Sequence, residues 1–244
     1  MEILLIHLGS VAECFIATSL FKRWKKDYAD KGFRVTALVK DQKSKAVFKY
    51  NPYVKNCYDI KNIPNDFWDR HYDLALNLNV DFALHDMVNA NEYLGLGYHK
   101  KAVPFYDILQ GGKRTRKSLF QIYYNLAAYT WKGESYFFKY YPRTKNKSYR
   151  TAVAVVNKNL SNYISDKLQL SLSNTTYLPN KKNTFKMLDE LNKCSNVVTD
   201  DFLTLNLATY LKKHVFFLKT RPYNFQLELF GKGKVIKIQP SVIF

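Results

Sequence analysis

The stretch Glu2 to Ser19, E-I-L-L-I-H-L-G-S-V-A-E-C-F-I-A-T-S, admits few folds. Ile3 to Ile6 is a short apolar run of the length of one buried strand. Gly9-Ser10 supplies a small-residue turn. From Cys14 to Tyr28, the residues Phe15, Ile16, Leu20, Phe21 and Trp24 recur at helical spacing. Strand, tight turn and amphipathic helix form the first half of a βαβ unit. The turn stands where such folds place ligands, at the carboxyl end of a strand and the start of a helix. Glu13 is the acidic residue at that helix start. Its carboxylate has two readings: a complement to the helix dipole, or a group held out for chemistry.

The same alternation continues. Phe33 to Val39 reads as a second strand, and Lys43 to Tyr50 as a helix closed by the Asn51-Pro52 turn signal. Asn56 to Ile60 is a third strand. Tyr72 to Leu78, with alternating Leu74, Leu76 and Leu78, is a fourth. Asp81 to Glu92 reads as a helix and Tyr93 to Tyr98 as a strand. Lys100 to Lys117 is a basic loop carrying Gly111-Gly112, and Ser118 to Trp131 is a helix. The polar, basic stretch Tyr140 to Arg150 reads as a linker. A second series follows: strands at Thr151 to Val156, Thr175 to Leu178, Asn196 to Thr199, His214 to Leu218 and Lys234 to Ile238. Helices fall at Leu160 to Leu168, Asn183 to Cys194 and Leu203 to Leu211. Strands separated by helices argue for parallel α/β sheets. Residues 1–142 and 151–244 are thus expected to be two Rossmann-like domains, the second one reduced.

Composition narrows the partners. The 244 residues carry 38 Lys and Arg against 20 Asp and Glu, a formal charge of +18. Such an excess suits an anionic partner, whether nucleic acid, an acidic membrane face or a phosphorylated substrate; general solubility is the plainer reading. No nucleic-acid-binding signature accompanies the charge, so nucleic acid is not the expected partner. Cys14, Cys57 and Cys194 are too scattered for a metal site or a disulfide framework, which fits a reducing cytoplasm. No run approaches the ~18 apolar residues of a membrane span, and no signal peptide is evident. Peripheral contact with the inner face of a membrane stays open. His7 reads as strand packing, and His71, His85, His99 and His214 form no partner pattern.

Particular residues add a resemblance. Leu5-Ile6-His7-Leu8-Gly9-Ser10-Val11-Ala12-Glu13, followed by Ala17-Thr18, resembles the L-I-x-L-G-S-x-G-D … A-T-P opening of the heptosyltransferases, glycosyltransferase family 9. Asn51-Pro52-Tyr53-Val54 resembles that family's N-P-Y-V, and Tyr72 to Leu78 its Y-D-L-x-x-N-L strand. Thr184 to Ala208 resembles its run ending V-x-T-N-D-T-G-P-x-H-L-A. The resemblance implies a GT-B-like plan and an inverting, metal-independent transfer of sugar from a nucleotide-diphosphate donor, ADP-heptose-like. It implies no further cofactor. The acceptor would be an anionic saccharide of lipopolysaccharide type, or a lipid-linked one.

The resemblance also implies roles. Glu13 stands where the family has the aspartate proposed as general base, one methylene longer. Gly9, Ser10, Lys158, Thr199, Asp201, Phe202, Leu203 and Asn206 fall at donor-binding positions. Lys43, Lys45, Lys113, Arg114 and Arg116 lie on the acceptor half, where cations would pair with anionic groups. The departures are specific. Phe202-Leu203 replaces the Thr-Gly pair that opens a diphosphate-binding helix, and glycine there permits close backbone approach. Asn206 replaces a histidine, and Asp200 adds negative charge. A second expectation therefore stands beside the enzyme: a catalytically degenerate relative serving as a scaffold with a protein partner.

Overall fold

The computed structural model describes residues 1–79, 115–142, 149–155, 160, 164, 174–178, 184–220, 223 and 225–238. Its first sheet contains β1 (Glu2–His7), β2 (Arg34–Val39), β3 (Val54–Asp59) and β4 (Leu74–Asn77), in the order β3-β2-β1-β4. Its second contains β5 (Tyr149–Ala154), β6 (Thr175–Tyr177), β7 (Cys194–Thr199), β8 (His214–Lys219) and β9 (Gly233–Lys237), in the order β6-β5-β7-β8-β9. Every pairing in both sheets is parallel. This is the doubly layered α/β plan expected from the alternation, two parallel sheets of GT-B type with a smaller second part.

The chain divides into two compact units. One comprises Met1–Tyr140 with Tyr223–Leu227, the other Tyr141–Pro222 with Glu228–Phe244. The short segment 223–227 belongs to the first: Gln226 donates its N–H to Lys117 O at 3.0 Å, and Gln226 bridges Ser118.

A parallel strand covered on both sides must be apolar on both sides. β1 meets this condition, with Ile3, Leu4, Leu5 and Ile6 all fully buried. On one face Leu4, Ile6 and Leu8 pack with Leu38 and Phe67. Helices supply the rest of the cover in the first unit: α1 (Val11–Ala17), α2 (Leu20–Asp27), α3 (Gln42–Phe48) and α4 (Leu119–Leu126). Phe15, Phe21, Trp24, Val47, Phe48 and Tyr124 are buried along them. In the second unit Val153, Leu160, Ile164, Val198, Leu218 and Ile238 form one cluster. Its described helices are α5 (Thr184–Asn192) and α6 (Phe202–Tyr210).

Helix starts follow local chemistry. Ser10 and Ser118 open α1 and α4 with capping boxes, partnered by Glu13 and Gln121. Asp41 and Asp201 cap α3 and α6. Two helices differ from expectation. The stretch expected as one helix from Cys14 to Tyr28 breaks at Thr18-Ser19. Thr18 Oγ1 donates back to Phe15 O at 2.6 Å and accepts the Phe137 N–H at 3.2 Å, while Tyr124 Oη donates to Ser19 O at 2.9 Å. These side-chain and tertiary bonds displace the helical ladder. The helix expected to reach Trp131 stops at Leu126, because Ala128 takes a φ of 63°, outside helical space.

The helix expected over Asp81 to Glu92, the strand at Tyr93 to Tyr98 and the basic loop through Arg114 lie outside the described residues. The helix over Leu160 to Leu168 is described only at Leu160 and Ile164. Among the described residues no helix is long and apolar enough to cross a membrane.

Phe67 reaches the sheet from an irregular segment, edge-on to Tyr58 and Trp68 at 5.6 and 4.8 Å between centroids. Phe67→Ala is expected to lower the unfolding free energy by about 3–5 kcal/mol. Urea titration followed by circular dichroism checks this; an unmoved midpoint would show that the ring adds nothing to the core.

Candidate functional site

In an open parallel sheet, ligands meet the carboxyl ends of the strands where the strand order reverses. In the first unit the chain steps outward from β1 through β2 to β3, then returns to place β4 on the other side of β1. The switch point lies between the carboxyl ends of β1 and β4. There Leu8-Gly9-Ser10 leaves β1 and Leu78-Asn79 leaves β4. Gly9, Ser10 and Glu13 are therefore brought together at the place the sequence pointed to.

Three consecutive backbone donors of this turn each find a side-chain acceptor. Leu8 N–H donates to Asn79 Oδ1 at 2.6 Å, Gly9 N–H to His7 Nδ1 at 3.1 Å and Ser10 N–H to Glu13 Oε2 at 2.7 Å. Asn79 is itself held, donating its N–H and Nδ2 to Asn77 Oδ1 at 3.0 and 2.7 Å. Glu13 N–H donates back to Ser10 Oγ at 3.4 Å, completing the capping box. One carboxylate oxygen of Glu13 is thus anchored. Oε1 makes no hydrogen bond among the described residues, so the group has an oxygen to offer a ligand. The capping role of Glu13 is met through Oε2, and Oε1 is left without a hydrogen bond among the described residues.

Gly9 is required by space. A Cβ there would sit 2.6 Å from His7 Cε1 and 2.9 Å from Glu13 Oε2. The imidazole edge and the carboxylate close on the glycine together.

Behind the turn is a buried polar cluster that the sequence did not reveal. His7, expected only to pack, is 2% exposed and pairs through Nε2 with Tyr123 Oη at 3.0 Å. The two rings meet edge to face at 5.2 Å. Cys14 Sγ lies 3.7 Å from His7 Nδ1. Burial drives the imidazole pKa down to about 4, with the nearby Glu13 charge only partly opposing it. Burial also pushes the Cys14 thiol and the Tyr123 phenol far above their ordinary values. All three groups are neutral at pH 7.

Basic side chains line the same sheet edge. Lys40 follows β2, Lys43 and Lys45 lie on α3, and Lys61 follows β3. Lys40, Lys43 and Lys61 are exposed and Lys45 is half-buried. None of the four forms an ion pair among the described residues. The neighbouring acids are committed to local structure. Asp41 accepts the Ser44 N–H at 2.8 Å; burial would raise its pKa, but the hydrogen bonds of the cap outweigh this and lower it. Asp59 accepts from Gln42 Nε2 at 2.6 Å and Asn62 Nδ2 at 2.8 Å. Arg116 is exposed just before α4. Lys113 and Arg114 lie outside the described residues.

The second unit repeats the arrangement. Its switch point lies between the carboxyl ends of β5 and β7. Thr199 Oγ1 donates across to Ala154 O at 2.6 Å and accepts the Asp201 N–H at 3.0 Å. Asp201 Oδ2 accepts Thr204 N–H and Oγ1 at 2.8 and 2.7 Å. Thr199, Asp201, Phe202 and Leu203 are gathered at this strand end, with Phe202 and Leu203 half-buried on the first turn of α6. Asn206 is buried one turn on, its Nδ2 donating to Phe202 O at 2.6 Å. Lys158 lies outside the described residues. Among the described residues, no three of His, Cys, Asp and Glu gather as metal ligands.

Fold and switch points together define a class: a two-sheet α/β scaffold of GT-B type, the plan of the glycosyltransferase family 9 enzymes. Solved structures give it particular form. The chain resembles E. coli ADP-heptose lipopolysaccharide heptosyltransferase II at TM-score 0.66 and 13% identity, over 98% of this chain and 91% of that one. It resembles E. coli heptosyltransferase WaaC, solved with ADP, at TM-score 0.59 and 12% identity, over 91% and 89%. A family 9 glycosyltransferase from Veillonella parvula matches at TM-score 0.58 and 11% identity, over 97% and 86%. At these identities the likeness is one of fold. The sequence matches no protein-family model and no curated protein.

The low imidazole pKa of His7 has a consequence for stability. In the unfolded chain the ring takes up a proton near pH 6.5, and in the folded protein only near pH 4. Its contribution is present in full above about pH 6.5 and is lost as the pH falls toward 4, because the unfolded state binds the extra proton. The loss reaches about 3 kcal/mol. Urea titrations at pH 7 and pH 4.5 should show a larger drop for wild type than for His7→Asn.

Proposed function

We propose that this protein is a heptosyltransferase-like, metal-independent glycosyltransferase. One observation carries the reading. Glu13 stands at the first switch point with Oε2 tied to Ser10 N–H and Oε1 unengaged among the described residues. In the transfer, an acceptor hydroxyl gives its proton to Glu13 as its oxygen attacks the anomeric carbon. The bond from that carbon to the diphosphate breaks, and the nucleoside diphosphate leaves with the electron pair. A carboxylate held in place and open on one side suits general-base work.

The first unit takes the acceptor. Lys40, Lys43, Lys45 and Lys61 follow the strand ends on the edge where Glu13 stands, and Arg116 adds charge before α4. Lysines without an ion pair among the described residues favour a phosphorylated or carboxylate-bearing saccharide, free or lipid-linked. A lipid-linked acceptor would bring the basic protein against the acidic inner face of a membrane. The second unit takes the donor, an ADP-sugar, at the turn from Thr199 to Leu203. The ADP bound in the structurally similar WaaC supports the adenine nucleotide.

A second reading has its own observation. In α6 the Asp201 carboxylate already occupies the Thr204 N–H, and Phe202 and Leu203 fill the first turn. A negative side chain at a helix start competes with a diphosphate. The protein would then be a catalytically silent scaffold that keeps the fold and binds a protein partner.

Calorimetry with ADP-, UDP- and GDP-sugars decides between them. Binding of an ADP-sugar supports the enzyme, and absence of binding by all three supports the scaffold. Glu13→Gln is expected to keep nucleotide affinity and to lower turnover by about 10²–10⁴-fold. Full activity in that variant would remove Glu13 from the mechanism. Lys43→Ala with Lys45→Ala is expected to raise the acceptor KM and flatten its salt dependence, with little change in kcat.

A further inference from the structure

The geometry points to His7 and Tyr123 as positioning residues that hold the Gly9-Ser10 turn so that Glu13 is presented in one orientation. The inference rests on the proposed role of Glu13. His7 Nδ1 accepts the Gly9 N–H at 3.1 Å, so that nitrogen carries no proton. In the neutral ring the proton is then on Nε2, which donates to Tyr123 Oη at 3.0 Å. Tyr123 is fully buried and its ring stands edge to face with the imidazole. The Gly9 N–H can only donate and so selects this tautomer, while the Tyr123 hydroxyl, accepting from Nε2–H, holds the ring in the orientation that meets Gly9. A flip to the Nδ1–H tautomer would set two donors against each other and release the turn.

The effect passes to Glu13 through the next peptide. Ser10 N–H, which follows directly on Gly9, anchors Glu13 Oε2 at 2.7 Å. The missing Cβ of Gly9 lets the imidazole edge and the carboxylate close on the same backbone atoms. A small shift of the Gly9 peptide therefore moves the acceptor-facing oxygen. Displacements of about 1 Å at a reacting group cost on the order of a hundredfold in rate.

The test uses the full-length, isotope-labelled chain and separates the two ring nitrogens. An Asn at position 7 places an amide oxygen near Nδ1, able to accept from Gly9. A Gln reaches toward Nε2 and Tyr123 but not Gly9. Wild type is expected to show the Nε2–H tautomer by ring nitrogen shifts and a Ser10 amide protected from hydrogen exchange. His7→Gln should lose Ser10 protection by about tenfold or more, and His7→Asn should retain it to within about threefold. Tyr123→Phe should keep the Nε2–H tautomer but free the ring to rotate, and partly expose the Ser10 amide; it also serves if His7→Gln does not fold. Unchanged Ser10 protection in His7→Gln or Tyr123→Phe, equal losses in the Gln and Asn variants, or an Nδ1–H ring in wild type would each overturn the inference. With a turnover assay, kcat should fall in His7→Gln at constant acceptor KM and recover in His7→Asn. The exchange readout needs no activity. A Glu13→Gln variant of full activity would end the catalytic reading and leave the exchange result standing by itself.

Discussion

The hydrogen bond from Leu8 N–H to Asn79 Oδ1 closes the gap where the first sheet changes direction, and the candidate site depends on it. At the carboxyl end of a parallel sheet the ladder runs out, and buried backbone donors must be satisfied some other way. Here the protein spends three side chains on three successive N–H groups. Asn79 comes from the neighbouring strand end, His7 from the strand just finished and Glu13 from the helix about to begin. The turn is held from all three directions, and the carboxylate that caps the helix is the one left with an oxygen to offer.

The second unit solves the same problem with different residues. Thr199 reaches across to Ala154 O and takes the Asp201 N–H, and Asp201 then caps α6. Both switch points thus carry a carboxylate at a helix start, with different consequences. In the first unit the acid stands at the β1 end of a sheet whose neighbouring strands β2 and β3 are followed by lysines that form no ion pair among the described residues. In the second the acid and two bulky side chains fill the first turn of α6. The two units are therefore unequally furnished for the proposed reaction: the first has a carboxylate oxygen without a hydrogen bond among the described residues, the second a filled helix start.

Charge and burial divide the work around Glu13. Behind it, His7, Cys14 and Tyr123 are kept neutral by burial, so none of these three brings a charge against the carboxylate. In front, the acids that would pair with the edge lysines are engaged in capping α3 and in bonding Gln42 and Asn62. Lys40, Lys43, Lys45 and Lys61 are thereby left without an ion pair among the described residues.

Much of this was legible in the order of residues alone. Apolar runs such as Ile3 to Ile6 announced the strands, because a parallel strand must be greasy on both faces. The helix starts at Ser10, Ser118 and Asp201 are local as well, because those side chains satisfy donors three residues away, but it is the structure that shows these caps. Glu13 and Gly9 were found from their place in the turn after the first strand, and Thr199 from the resemblance to glycosyltransferase family 9. The break at Thr18-Ser19 was not legible, since Phe137 and Tyr124, which stabilise it, lie more than a hundred positions downstream. Nor was the environment of His7. Its partner Tyr123 is 116 residues away, and nothing along the chain distinguishes that tyrosine from the eighteen others. Contacts of that range are set by how helices pack across a sheet, and only the folded molecule brings the two rings together.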